Sequence, residues 1–127
     1  MDLYAENILD HYKNPRRHGG LKDPSIWAED SNPLCGDKIR IDLKLENGKI
    51  ADIAFSGEGC AISQAATSML ADEIAGKNLQ EAAGYDNEKI YAMLGVPLTT
   101  ARVKCALLGL VVFKKALILN KIQNGRE

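Results

Sequence analysis

The 127-residue sequence has no excess of charge of either sign: 16 lysines and arginines oppose 17 aspartates and glutamates, leaving −1. A chain so balanced has no general electrostatic grip on nucleic acid or an anionic membrane, and neither is expected as a partner. Long hydrophobic runs are missing too. The longest, Cys105 to Phe113, is nine residues, about half of the ~20 that a membrane span requires. The opening Met1-Asp2-Leu3-Tyr4-Ala5-Glu6 lacks a basic segment followed by an apolar one, so no signal peptide is expected. Cysteine is scarce and odd in number. Three cysteines disfavour a closed disulfide framework and suit a reducing compartment, the cytoplasm. Internal repeats, low-complexity segments and a G-x-x-x-x-G-K phosphate loop are absent. Gly57-Glu58-Gly59 resembles the start of a dinucleotide fingerprint, but Ile62 occupies the third glycine's place. With 46% apolar and 26% charged residues, the composition is that of one ordinary globular domain, residues 1–127, able to bury ~65–70% of its unfolded surface without a staple.

The clearest element is Lys38 to Glu46. Ile39, Ile41, Leu43 and Leu45 alternate with Lys38, Arg40, Asp42, Lys44 and Glu46, which predicts a strand with one wet face. Asn47-Gly48 turns the chain into a second strand, Ile50 to Ser56, with Ala51, Ile53 and Phe55 on one face. A two-residue turn would set Leu43 opposite Asp52 and mix dry with wet. A three-residue loop pairs Ile41 with Ile53 and Ile39 with Phe55, sets Cys35 opposite Gly59, and is the expected register. Ile26 to Glu29 reads as a weak edge strand.

Helices are expected over Glu6–Tyr12, ended by Asn14-Pro15, and over Cys60–Ala75, stopped by Gly76. A short helix follows Asn78, with Glu81 completing a cap, and another spans Asn87–Leu94, closed by Gly95. The last starts near Thr99 or Thr100 and runs to about Ile122, with Val103, Leu107, Leu110 and Leu117 near one stripe. The Pro15-Arg16-Arg17-His18-Gly19-Gly20 connection reads equally as a solvated loop and as a docking surface. Two strands with a third at the edge, followed by helices, make the class α+β: a small antiparallel sheet packed against several helices.

The residues able to carry chemistry are Cys35, Asp37, Cys60 and Cys105. Their long spacings leave it to the fold to gather them, and any one cysteine reads as readily as a small buried hydrophobe. Cys35 lies in a polar, glycine-containing turn. Cys60 opens a helix, where unpaired N–H groups favour thiolate, and Lys104 and Arg102 place cations near Cys105. Asp37 is a hard oxygen ligand or a turn cap. Three thiolates and a carboxylate suit zinc, or iron in a cluster with one weak ligand. His11 and His18 have no acid beside them that suggests a triad.

Several separated motifs then resemble the IscU/SufU/NifU N-terminal family of iron–sulfur cluster assembly proteins. They are Tyr4 with Asp10-His11-Tyr12-Lys13-Asn14-Pro15-Arg16, then Cys35-Gly36-Asp37, Gly59-Cys60-Ala61-Ile62-Ser63 and Ala101-Arg102-Val103-Lys104-Cys105. The resemblance implies a scaffold that assembles a labile [2Fe–2S] cluster from iron and the sulfur of a cysteine desulfurase, then passes it to apo acceptor proteins. It makes Cys35, Asp37, Cys60 and Cys105 the ligands, and Cys35 and Cys105 sulfur acceptors. Lys104 stands where IscU-like members carry a histidine ligand; it removes that ligand, and as a cation beside Cys105 it is counted among the candidate catalytic groups. Ala101 to Cys105 is more similar to SufU-type members, zinc-dependent sulfurtransferases, although the Cys60–Cys105 segment is too short for their usual insertion. A carrier is therefore expected ahead of a turnover enzyme, with the zinc-dependent sulfurtransferase as the alternative and a purely structural zinc protein last. A monomer is expected, with dimerisation open for the cluster-bound form.

Overall fold

A computed structural model describes residues 2–33 and 36–123. Its elements in chain order are α1 (Leu3–Lys13), β1 (Ile26–Asn32), β2 (Asp37–Glu46), β3 (Lys49–Glu58), α2 (Ala61–Ile74), α3 (Leu79–Ala83), α4 (Asn87–Leu94) and α5 (Thr100–Gln123). The strands form one antiparallel sheet in the order β1-β2-β3, the α+β architecture expected. Ile39, Ile41, Leu43, Ile53 and Phe55 turn inward and are at most 1% exposed. They pack beneath α2 and α5, which contribute Leu70, Ile74, Val112 and Phe113. No described helix is long and apolar enough to cross a membrane.

Local chemistry explains most boundaries. Asp2 caps α1, its Oδ1 accepting from the N–H of Tyr4 and Ala5, which starts the helix a turn earlier than Glu6. Asn78 Oδ1 accepts from Glu81 N–H at 2.7 Å and opens α3. Gly95 ends α4 in the left-handed conformation.

The hairpin register differs from the expected one. Asn47 and Gly48 both have positive φ (54° and 74°), a tight two-residue turn that sets Glu46 opposite Lys49 and Leu45 opposite Ile50. A bulge then inserts Ala51, so that Leu43 faces Ile53, Ile41 faces Phe55 and Ile39 faces Gly57. Ala51 is exposed, not on the inner face. The bulge resolves the mixing of dry and wet faces that made a two-residue turn unattractive. It is held from outside the hairpin: Ile50 N–H donates to Lys77 O and Gly76 N–H donates to Ile50 O.

The arginine-rich connection is not a free loop. Gly19 N–H donates to Phe55 O at 2.7 Å and Phe55 N–H to Arg17 O at 2.9 Å, so it lines the edge of β3, with His18 edge-on to Phe55. It continues across the outer face of the sheet. There Leu21 N–H and Arg40 Nε donate to Asp42, which is 4% exposed rather than wet. In α5 the buried set is Cys105, Ala106, Leu108, Gly109, Leu110, Val112, Phe113 and Ala116. Of the expected stripe only Leu110 is buried. Val103, Leu107 and Leu117 lie at its half-buried border, because α5 is covered from two sides, by the sheet and by α2.

Candidate metal centre

Three elements meet at one end of the sheet. Asp37 begins β2, Cys60 is the N-cap of α2, and Cys105 lies in the second turn of α5. Their ligand atoms, one carboxylate oxygen and two sulfurs, all lie within 4.8 Å of one another. The bulged register brings them there, because a ladder with Lys38 opposite Glu58 puts Asp37 level with Gly59. Gly59 must stay bare: a Cβ there would stand 2.3 Å from Asp37 Oδ1 and 2.7 Å from Ser63 Oγ.

Asp37 is 1% exposed. Its Oδ1 accepts from Cys60 N–H at 2.9 Å, while Oδ2 is buried without a partner. A bare buried carboxylate oxygen is costly unless a cation meets it, and two cysteine sulfurs share its space. This donor set fits a metal. Zinc bonds of about 2.0–2.3 Å in tetrahedral array place ligands roughly 3.5 Å apart, compatible with the grouping observed.

Cys60 is half-buried and Cys105 fully buried. Burial raises the Cys60 thiol, but the backbone N–H of Ser63, the Cys105 side chain and the Ile62 N–H outweigh it. The balance holds the thiol below its ordinary value, even with the Asp37 charge opposing ionisation. Ser63 Oγ donates to Cys60 O at 3.1 Å and steadies the cap.

Cys35 lies outside the described residues. Lys104 is exposed and lines a cleft of about 300 Å³ with Asp30, Pro33 and Leu107. The sequence reading gave no role to Ser63, quoted only within a motif, or to Gln64. Their positions, three and four after Cys60 on a helix, were the available signal.

His11, expected on a helix face, is buried. Its Nδ1 lies 2.8 Å from Ser68 Oγ, which also accepts from Arg16 N–H at 2.8 Å. Burial first, and then the Arg16 charge, lower the His11 pKa below 6.5. A lowered histidine pKa means stability that is complete above pH 6.5 and lost as pH falls through the folded-state value. The melting temperature should therefore fall between pH 7 and 5.5, and His11→Gln should flatten that slope. Equal slopes in the two proteins would rule this role out.

Residues 3–125 match the family model described as the NifU-like N terminal domain. The chain is 40% identical to a zinc-dependent sulfurtransferase SufU of Bacillus subtilis, over 89% of this chain and 88% of that protein. It is 35% identical to an iron–sulfur cluster assembly scaffold protein IscU of Streptococcus pyogenes, over 91% and 82%. A crystal structure from Fervidobacterium islandicum, described as a cluster assembly scaffold for the SUF system, superposes with a TM-score of 0.77 at 33% identity, covering 88% and 94%.

Proposed function

Because this chain belongs to the NifU-like N-terminal domain family, we propose that residues 1–127 act as one cytoplasmic cluster-assembly domain. It collects iron and sulfur from a cysteine desulfurase as a [2Fe–2S] cargo and hands the cargo to apo acceptor proteins. Cys35, Asp37, Cys60 and Cys105 are the proposed ligands. The observation that carries this reading is the bare Asp37 Oδ2 beside two cysteine sulfurs. A carboxylate holds iron less tenaciously than thiolate, and half-buried Cys60 gives an incoming acceptor a point of entry.

A zinc-dependent sulfur relay is the second reading. It is favoured by the close grouping of the three donors, which suits a single ion, and by the 40% identity to the Bacillus protein. Bound zinc would supply a positive centre that keeps the thiolates deprotonated. The thiolate of Cys35 or Cys105 attacks the outer sulfur of the desulfurase persulfide. One S–S bond forms as another breaks, and the desulfurase thiolate leaves, with no net oxidation. Lys104, exposed beside Cys105, adds a cation for the approaching anionic group.

Anaerobic incubation with a cysteine desulfurase, cysteine, reductant and ferrous iron, followed by an apo-ferredoxin, distinguishes the two. A [2Fe–2S] spectrum that moves to the ferredoxin is the expected result. Zinc retained without a cluster, with faster desulfurase turnover, would replace the scaffold by the relay.

A further inference from the structure

Among the described residues, two buried side-chain atoms lack a hydrogen-bond partner, and they are of opposite kind. Asp37 Oδ2 is an acceptor and Gln64 Nε2 a donor. Asp37 is 1% exposed and Gln64 8%. A metal ion satisfies the carboxylate oxygen but not an amide N–H, which requires lone pairs.

Gln64 stands one helical turn after Cys60, its N–H donating to Cys60 O at 3.1 Å. Residues four apart share a helix face, and helical side chains lean toward the N-terminus, here toward Cys60. On the following turn Thr67 abuts Gly109, whose Cβ would lie 2.4 Å from Thr67 Oγ1. Gly109 is one turn beyond Cys105. Gln64 therefore lies on the stretch of α2 between its cysteine and its contact with the cysteine-bearing end of α5. Ser68, the next residue on that face, is committed to His11 and Arg16, while the Gln64 amide nitrogen has no partner.

We propose that Gln64 is a positioning residue for anionic sulfur, its side-chain amide donating an N–H···S hydrogen bond to the sulfur delivered to the site. This rests on the function proposed above and specifies how its cargo is held. The recognised chemistry is a sulfur anion, either the terminal sulfur of a persulfide or inorganic sulfide.

Two probes separate those sources. In the first arm the zinc-loaded and metal-free proteins are treated with inorganic polysulfide, and persulfide is followed by alkylation and mass spectrometry. In the second arm the protein is reconstituted with ferric iron and inorganic sulfide, and the absorbance is followed. Gln64→Met should keep the zinc content and melting temperature of the wild type, yet lose persulfide or cluster about tenfold faster. Gln64→Glu, similar in shape but without the donor when ionised, should lose them faster still. The cluster in Gln64→Met should also have a lower reduction potential, since N–H···S bonds stabilise the more negative reduced state. Loss confined to one arm supports the proposal and names the sulfur species. Wild-type retention in both arms by both variants would overturn it, as would zinc falling in step with sulfur. A wild type that takes up sulfur in neither arm would overturn the function as well. A competent wild type indistinguishable from its variants removes only the Gln64 assignment.

Discussion

Cys60→Ala and Cys105→Ala should each lower the affinity for zinc or iron by on the order of 100-fold or more, while helix content survives. The two cysteine sulfurs and a carboxylate oxygen of Asp37 converge within 4.8 Å, so removing either sulfur leaves too few donors to hold an ion against solvent. The fold does not depend on that ion. Its core of Ile39, Ile41, Leu43, Phe55, Leu70, Ile74, Val112 and Phe113 is buried independently of the site. Cys105→Ala should cost about 1 kcal/mol for the small cavity it leaves, and half-buried Cys60→Ala less. Metal analysis after gel filtration, read beside far-UV circular dichroism, checks both. Wild-type metal content in the two variants would remove the site, and loss of helix signal with the metal would revive a structural zinc.

Gly57→Ala should be severely destabilising for a change of a single methyl group. Gly57 has φ 133° and faces Ile39 across the β2–β3 ladder. An added Cβ would stand 1.9 Å from Lys38 O and 2.9 Å from Lys38 C. Those are backbone atoms that move only by parting the strands. The expected cost is about 3–5 kcal/mol, from the unfavourable φ and the clash together, or a melting temperature lower by roughly 10–20 °C for a domain of this size. Gly76→Ala is the control. It shares a positive φ of 84° but would meet nothing within 4 Å, so about 1 kcal/mol is expected. Equal melting temperatures for the two variants would refute the backbone clash. Gly57→Ala should also loosen metal, because the strands it parts carry Asp37 toward Gly59.

Much of this was legible in the sequence for identifiable reasons. Strict alternation gave β2 to within a residue, and caps at Asn78 and Gly95 placed the ends of the short helices. The convergence of Asp37, Cys60 and Cys105 was written in three separate motifs, each at the start of an element. What escaped was held by contacts distant in sequence. The Ala51 bulge depends on Gly76 and Lys77, and the pairing of Arg17 and Gly19 with Phe55 spans more than thirty residues. Burial of Asp42 follows from that same arm crossing the sheet. Gln64 carried only its spacing of four from Cys60, which any residue at that place on the helix would share. Only a buried amide without a partner singles it out.

The hairpin also works as a ruler. Its zero is the Asn47-Gly48 turn, its divisions are residue pairs, and its far end is read at Asp37. The extra residue at Ala51 advances the scale by one division, so the mark falls on Gly59 rather than on Glu58. Deleting that single exposed alanine would simply straighten the ladder, with Asp52 still opposite Lys44 and Asp37 still level with Gly59. Keeping it in a ladder without the bulge would set Asp37 against Glu58 and turn the inward side chains of β3 outward. In this domain an extra residue between turn and site leaves the scale matched only where a bulge takes it up.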